Sequence, residues 1–143
     1  AKVFLPSMVK KGSGHLIHFS SIAGFIGLFG YTGYCASKFA VLGFSEALRR
    51  EISPYGIKVS VVCPPNTRTP GLESENKFKP KEVLDTEEKI TVLEPEAVAR
   101  ATLRGVSSGD ALIIPSFDGK MSHLLSRFTP KIIDFFVRRK PSA

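Results

Sequence analysis

The chain has 143 residues, of which 43% are hydrophobic and 23% are charged, and it carries a formal net charge of +7 and two cysteines. This composition is typical of a globular domain and excludes a disordered or fibrous chain. No apolar run approaches the roughly eighteen residues of a membrane span. Two cysteines without a Cys-x-x-Cys pair predict no metal site and no disulfide framework, and they favour a reducing, cytoplasmic compartment.

The positive charge is concentrated at the C-terminus, where Lys131 and residues 138–140 flank apolar residues at 132, 133 and 135–137. A solvated basic tail explains this pattern. The alternative is an amphipathic helix that touches anionic lipid at a membrane surface. We therefore define residues 122–143 as a basic amphipathic tail. Nucleic acid is not expected as a partner, because no basic stripe is interleaved with aromatic residues.

Strand and helix patterns alternate along the chain. The predicted elements are a first helix closing at residues 10–12, a strand over 15–20, a glycine-rich loop over 24–33, a helix over about 32–52, a strand over 57–63, a loop or short helices over 66–81, a helix over about 94–107, a strand over 111–115, and a helical segment from 122 that breaks near 130. Strands separated by helices pair in parallel. The predicted fold class is therefore α/β.

Three polar residues have a spacing that suits carbonyl chemistry. Tyr34 and Lys38 are four residues apart, so they share one face of the predicted helix, and Ser21 follows the preceding strand. A ketone accepts a hydride only if its oxygen is stabilised and then protonated. Lys38 and the helix N-terminus both favour negative charge on the Tyr34 oxygen. The spacing therefore predicts ketone reduction or alcohol oxidation.

The same residues carry a family resemblance. A strand ending in Ser20–Ser21, and a Tyr-x-Ala-Ser-Lys sequence over residues 34–38, resemble the C-terminal half of a short-chain dehydrogenase/reductase. The resemblance implies strands 5–7 of a Rossmann-type, doubly wound parallel sheet, with residues 1–143 forming the C-terminal part of one domain. It also implies that Tyr34 is the general acid, that Lys38 binds the nicotinamide ribose, and that Ser21 orients the carbonyl.

The segment after the strand over 57–63 resembles the part of this family that contacts the cofactor. The family pattern Pro-Gly-x-x-x-Thr here reads Pro64, Pro65, Asn66, Thr67, Arg68, Thr69, so that Pro65 replaces the usual glycine. The resemblance assigns cofactor binding to Tyr34, Lys38 and this segment, with Thr69 as the first candidate among its threonines and Thr67 as the second. A loop capped by prolines, with no cofactor role, would also explain the segment.

This departure, together with residues 27–32, resembles the 3-ketodihydrosphingosine reductase branch. The branch implies NADP(H) rather than NAD(H) and a hydrophobic, long-chain ketone as the small-molecule substrate. Three alternatives stay open: an NAD-linked alcohol or hydroxysteroid dehydrogenase, a cofactor-sensing protein with little turnover, and a peripheral membrane module. Related proteins pair through the helix that carries the tyrosine, so a homo-oligomer is expected.

The first half of this family's domain has no counterpart in the sequence. Neither the glycine-rich phosphate loop nor the residue that selects NAD or NADP is found, and the catalytic Asn is also absent. We expect the chain to be the C-terminal portion of a longer protein.

Overall fold

A computed structural model describes residues 1–87 and 90–131. It contains six helices and five strands within those ranges. In chain order they are α1 Leu5–Lys11, β1 Gly14–Phe19, α2 Thr32–Ile52, β2 Ile57–Val62, β3 Asn66–Thr67, α3 Pro70–Asn76, α4 Lys81–Glu87, β4 Val92–Leu93, α5 Pro95–Ser108, β5 Leu112–Ile113 and α6 Phe117–Phe128. Two short 3-10 turns cover Ile22–Gly24 and Ser53–Tyr55.

Three of the strands form a parallel sheet in the order β1-β2-β5. β1 and β2 pair over their whole lengths, from Gly14 opposite Ile57 to Phe19 opposite Val62. β5 pairs with the last two residues of β2. The three carboxyl ends therefore meet at one edge, where open α/β sheets bind their ligands. This arrangement confirms the predicted α/β fold.

α2 covers one face of the sheet. Its apolar side chains Leu48 and Ile52 are four residues apart and so lie on the same side of the helix. Leu48 and Ile52 pack against Leu16, Ile57 and Val59 in one apolar cluster. Phe44 lies at helical spacing from Leu48 and Ile52, yet its side chain is 54% exposed. Ser45 is buried in its place. Burial of this polar residue is tolerated because its hydroxyl forms a hydrogen bond of 2.7 Å with His18 Nδ1.

α5 packs on the opposite face. Residues alternate between faces along a strand, and Val62, which pairs with Ile113, therefore faces away from the α2 side. A Cβ on Gly105 of α5 would lie 2.6 Å from the Ile113 side chain, so the helix approaches β5 closely. With α2 and α5 on opposite faces, the sheet is doubly wound. The Phe19 side chain of β1 is 55% exposed.

Two segments differ from the sequence prediction. β3 and β4 form a separate two-stranded parallel sheet that no sequence pattern indicated. α6 begins at Phe117 rather than at 122, because the Ser116 hydroxyl caps it by accepting a hydrogen bond of 3.2 Å from Gly119 N. From residue 132 onward, the tail predicted over 122–143 lies outside the described residues. Among the helices that the structure describes, none is long and apolar enough to span a bilayer.

Candidate active site

The sheet brings Ser21 next to the segment that follows β2. Ser20 N donates a hydrogen bond of 2.8 Å to the carbonyl oxygen of Val62, extending the pairing of the two strands by one residue. Ile22 N then donates to the carbonyl oxygen of Pro64 at 3.2 Å. The Ser21 hydroxyl accepts a hydrogen bond of 3.2 Å from Ala23 N and so caps the first 3-10 turn. Its own hydrogen remains available to a ligand.

Tyr34 and Lys38 lie one turn apart at the start of α2. The Lys38 ammonium is 5.3 Å from the centre of the Tyr34 ring. Tyr34 is 42% exposed. Tyr34 is the third residue of the helix, where the helix dipole favours negative charge. The arrangement places a phenol hydroxyl, a cation and a helix N-terminus together, and such a set can donate a proton to a carbonyl oxygen.

Ser20 fixes this part of α2 to the sheet. Its side chain is 4% exposed, and its hydroxyl donates a hydrogen bond of 2.8 Å to the carbonyl oxygen of Lys38. Gly24 makes this close approach possible, because a Cβ there would clash with the Ser20 hydroxyl and lie 3.0 Å from the Lys38 carbonyl oxygen. The end of β1 and the first turns of α2 are therefore held in fixed relation.

The predicted cofactor segment follows β2 as a strand and a helix start. Thr67, in β3, donates a hydrogen bond of 3.0 Å from its hydroxyl to the carbonyl oxygen of Pro65. Thr69 caps α3, since its hydroxyl oxygen accepts a hydrogen bond of 3.2 Å from Leu72 N. The Thr67 hydroxyl, which donates here, can still accept a hydrogen bond from a ligand, and the Thr69 hydroxyl, which accepts here, can still donate one.

Cys63 lies beneath this region and is fully buried. Burial raises the pKa of its thiol to about 11, although Ser20, Ser21 and the charge of Lys38 act in the opposite direction. The thiol is therefore protonated at neutral pH and is a poor nucleophile. It fills space under the candidate site rather than taking part in chemistry.

A second polar group beside Tyr34 was missed by sequence reasoning. Tyr31 donates a hydrogen bond from its hydroxyl to the Glu87 carboxylate, and the Lys79 ammonium lies 2.8 Å from the same carboxylate. The Tyr31 and Tyr34 rings are 5.7 Å apart. Burial and the Glu87 carboxylate raise the pKa of Tyr31 well above its ordinary value. Its position three residues before Tyr34, in a glycine-rich loop, is the only signal that the sequence offered.

The family description "short chain dehydrogenase" matches residues 1–80 of this chain. Among curated proteins, the chain is similar to the 3-ketodihydrosphingosine reductase of Dictyostelium discoideum. The two are 39% identical over 138 residues, which cover 94% of this chain and 41% of the relative. The chain thus spans about two fifths of the length of that relative.

Solved structures share the fold. A short chain dehydrogenase from Burkholderia cenocepacia in complex with NADP superposes with a TM-score of 0.78 at 18% identity, covering 97% of this chain and 53% of that one. A short-chain dehydrogenase from Sphingobium yanoikuyae in complex with NADPH gives a TM-score of 0.66 at 27% identity, covering 96% of this chain and 51% of that one.

Proposed function

Since this chain belongs to the short-chain dehydrogenase family, we propose that it carries the proton-donating centre of an NAD(P)H-dependent reductase that converts a ketone to an alcohol. The observation that carries the proposal is the Lys38 ammonium 5.3 Å from the ring centre of Tyr34, at the N-terminus of α2. A buried structural role for this tyrosine does not account for its 42% exposure.

In the proposed reaction, Ser21 donates a hydrogen bond to the ketone oxygen and fixes its direction. The Tyr34 hydroxyl transfers its proton to that oxygen while the carbonyl carbon accepts a hydride. Lys38 and the N-terminus of α2 stabilise the negative charge that Tyr34 then acquires. In the reverse direction Tyr34 takes up the alcohol proton. No other proton donor of this chain is required.

The donor set at this edge of the sheet fits a nicotinamide cofactor. The Lys38 ammonium and the Tyr34 hydroxyl are suited to the ribose hydroxyls, while Thr69 and Thr67 offer a donor and an acceptor that match a carboxamide. When bound, the dihydronicotinamide supplies the hydride. We favour NADP(H) over NAD(H), supported by the NADPH in the 27% identical dehydrogenase.

For the substrate, we propose a hydrophobic long-chain ketone of the 3-ketodihydrosphingosine class. The support is the 39% identity to a protein of that name over nearly the whole chain. In the test, the full-length protein is given NADPH or NADH, and loss of absorbance at 340 nm is followed with 3-ketodihydrosphingosine, a short aliphatic ketone or a steroid ketone. We expect the fastest turnover with the long-chain ketone and NADPH. A second assay follows the gain of absorbance at 340 nm with NAD and a hydroxysteroid, and faster turnover there would support the dehydrogenase alternative.

Tyr34→Phe tests the catalytic role directly. Loss of general acid catalysis is expected to lower kcat by about 10²-fold to 10⁴-fold, while NADPH still binds through Lys38 and the two threonines. Tyr55→Phe is the matched control, because Tyr55 is 52% exposed on the short turn after α2. An unchanged kcat in Tyr34→Phe would refute the assigned role. Binding of NADPH without turnover of any ketone or alcohol would support the cofactor-sensing alternative.

Further properties belong to the whole protein. We propose a cytoplasmic protein that associates peripherally with membranes through its basic tail. Co-sedimentation with anionic vesicles, with and without residues 128–140, tests this association.

We also propose a homo-oligomer that uses the exposed Phe39 and Phe44 of α2. Light scattering of the full-length protein and of its Phe44→Ser variant measures the oligomeric state.

A further inference from the structure

Residues 70–87, here called the α3–α4 segment, contain α3, Lys79 and α4. A largely buried polar cluster ties this segment to the start of α2. Its anchor is the Glu87 carboxylate, which accepts the Tyr31 hydroxyl on one oxygen and the Lys79 ammonium on the other. The Lys79 and Glu87 side chains are only 8% and 13% exposed. Glu75 of α3 lies 3.9 Å from the same ammonium.

Apolar packing brings the same segment to the same place. Val83 of α4 is 3% exposed. It packs onto Gly30, whose φ of +81° lies in the left-handed region, and where a Cβ would come within 2.6 Å of the Val83 side chain. Only glycine meets both requirements at this position. α4 therefore rests directly on the loop that precedes the candidate catalytic helix.

Tyr31 connects this cluster to Tyr34. It is the N-cap residue of α2, and its carbonyl oxygen accepts a hydrogen bond of 2.7 Å from Cys35 N in the first turn. Its ring lies 5.7 Å from the Tyr34 ring, at an angle of 60°. Tyr31 therefore links α4 to the first turn of α2, beside the Tyr34 ring.

We propose that Tyr31, Lys79 and Glu87 are positioning residues that dock the α3–α4 segment beside Tyr34 and so shape the substrate side of the catalytic site. The inference rests on the proposed function for its catalytic part. The role of Lys79 is to compensate the Glu87 carboxylate, because an unpaired charge at such a buried position is strongly destabilising. The role of Tyr31 is to direct that ion pair toward α2.

Hydrogen exchange of the full-length protein, measured without substrate or coenzyme, tests the docking. Tyr31→Phe keeps the ring and removes only the hydroxyl bond to a carboxylate. We expect amide exchange over residues 81–87 to accelerate by about tenfold. Lys79→Met is expected to accelerate it more, whereas Lys81→Met, which removes an exposed lysine of the same segment, leaves it unchanged. Unchanged exchange in both Tyr31→Phe and Lys79→Met would overturn the inference.

Steady-state kinetics of the same variants test the positioning. Tyr31→Phe is expected to raise KM for the ketone by about tenfold, with kcat within threefold of wild type and KM for the coenzyme unchanged. Loss of kcat without a change in KM would overturn the positioning role. If the wild-type protein reduces no ketone while exchange still responds to Tyr31→Phe, the proposed function fails and the docking stands. Where Lys79→Met does not fold, Tyr31→Phe still decides both measurements.

Discussion

The hydroxyl of Ser20 donates a hydrogen bond of 2.8 Å to the carbonyl oxygen of Lys38, joining the end of β1 to the helix that carries Tyr34. The two adjacent serines therefore have different tasks. Ser20 is buried and holds the helix, whereas Ser21 is partly exposed and keeps its hydroxyl hydrogen for a ligand.

Ser20→Ala is expected to lower the free energy of unfolding of the full-length protein by about 1–3 kcal/mol, because the buried hydrogen bond to Lys38 is lost. Urea denaturation measures the change. Ser107→Ala is the control, since its hydroxyl donates to the Leu103 carbonyl oxygen on an exposed helix face. Equal effects of the two substitutions would contradict the role given to Ser20.

Ser21→Ala should have the complementary effect. We expect kcat to fall by about 10²-fold, as for the loss of one donor to a developing oxyanion, with a denaturation midpoint close to that of the wild type. The measurement is kcat with NADPH and the long-chain ketone. A large loss of stability with normal turnover would show that Ser21 acts as a structural cap for Ala23.

Gly24→Ala is expected to lower the free energy of unfolding by an amount similar to that of Ser20→Ala. The added Cβ would clash with the Ser20 hydroxyl and lie 3.0 Å from the Lys38 carbonyl oxygen, so the turn and α2 would have to separate. Overpacking of this kind costs about 1–3 kcal/mol. Gly43→Ala is the control, because nothing lies within 4 Å of a Cβ there. Thermal unfolding of both variants compares them, and a wild-type midpoint for Gly24→Ala would rule out the close contact.

Stability is expected to fall as the pH drops below about 6.5. Burial lowers the pKa of His18, and of His15 and His123, below the ordinary value in the folded state. As the pH falls through the unfolded-state pKa, the unfolded chain therefore takes up protons before the folded chain does, which favours unfolding. The stabilisation from these neutral histidines is present above the unfolded-state pKa and is lost as the pH falls through their lower pKa in the folded state.

His18→Gln isolates one part of this effect. The denaturation midpoints of wild type and variant are compared at pH 7.5 and pH 5.5. We expect a smaller drop in the variant, because it lacks the imidazole that lies 2.7 Å from the Ser45 hydroxyl. An identical drop in both proteins would show that His18 does not contribute.

The two cysteines are expected to resist thiol reagents in the folded protein. Cys35 and Cys63 are 7% and 0% exposed, and burial raises the pKa of Cys63 to about 11. A maleimide at pH 7.5 should label neither thiol until denaturant is added, as measured by mass spectrometry. Rapid labelling of the native protein would contradict the burial of these side chains.

Several elements could be predicted from local sequence alone. The apolar spacing of residues 32–52 predicts a helix over the range in which α2 is found. The β-branched run after Gly56 predicts β2, and proline and acidic residues at 94–96 predict the start of α5. Each signal depends on neighbouring residues, and such signals are complete before the chain folds. The Ser21, Tyr34 and Lys38 spacing belongs to this class, because helix geometry alone places Tyr34 and Lys38 on one face.

Other features were decided only by the tertiary structure. In α2, Ser45 is buried and Phe44 is exposed. This depends on His18, 27 residues earlier, which supplies a hydrogen-bond partner for Ser45. The two-residue strands β3 and β4 exist only because they pair with each other. Tyr31 meets Glu87 across 56 residues of sequence. The sequence by itself thus determined the long helices α2 and α5, the main strands and the family. Long-range contacts decided which side of α2 faces the sheet and the docking of α4 beside Tyr34, because these contacts form only when distant segments pack together.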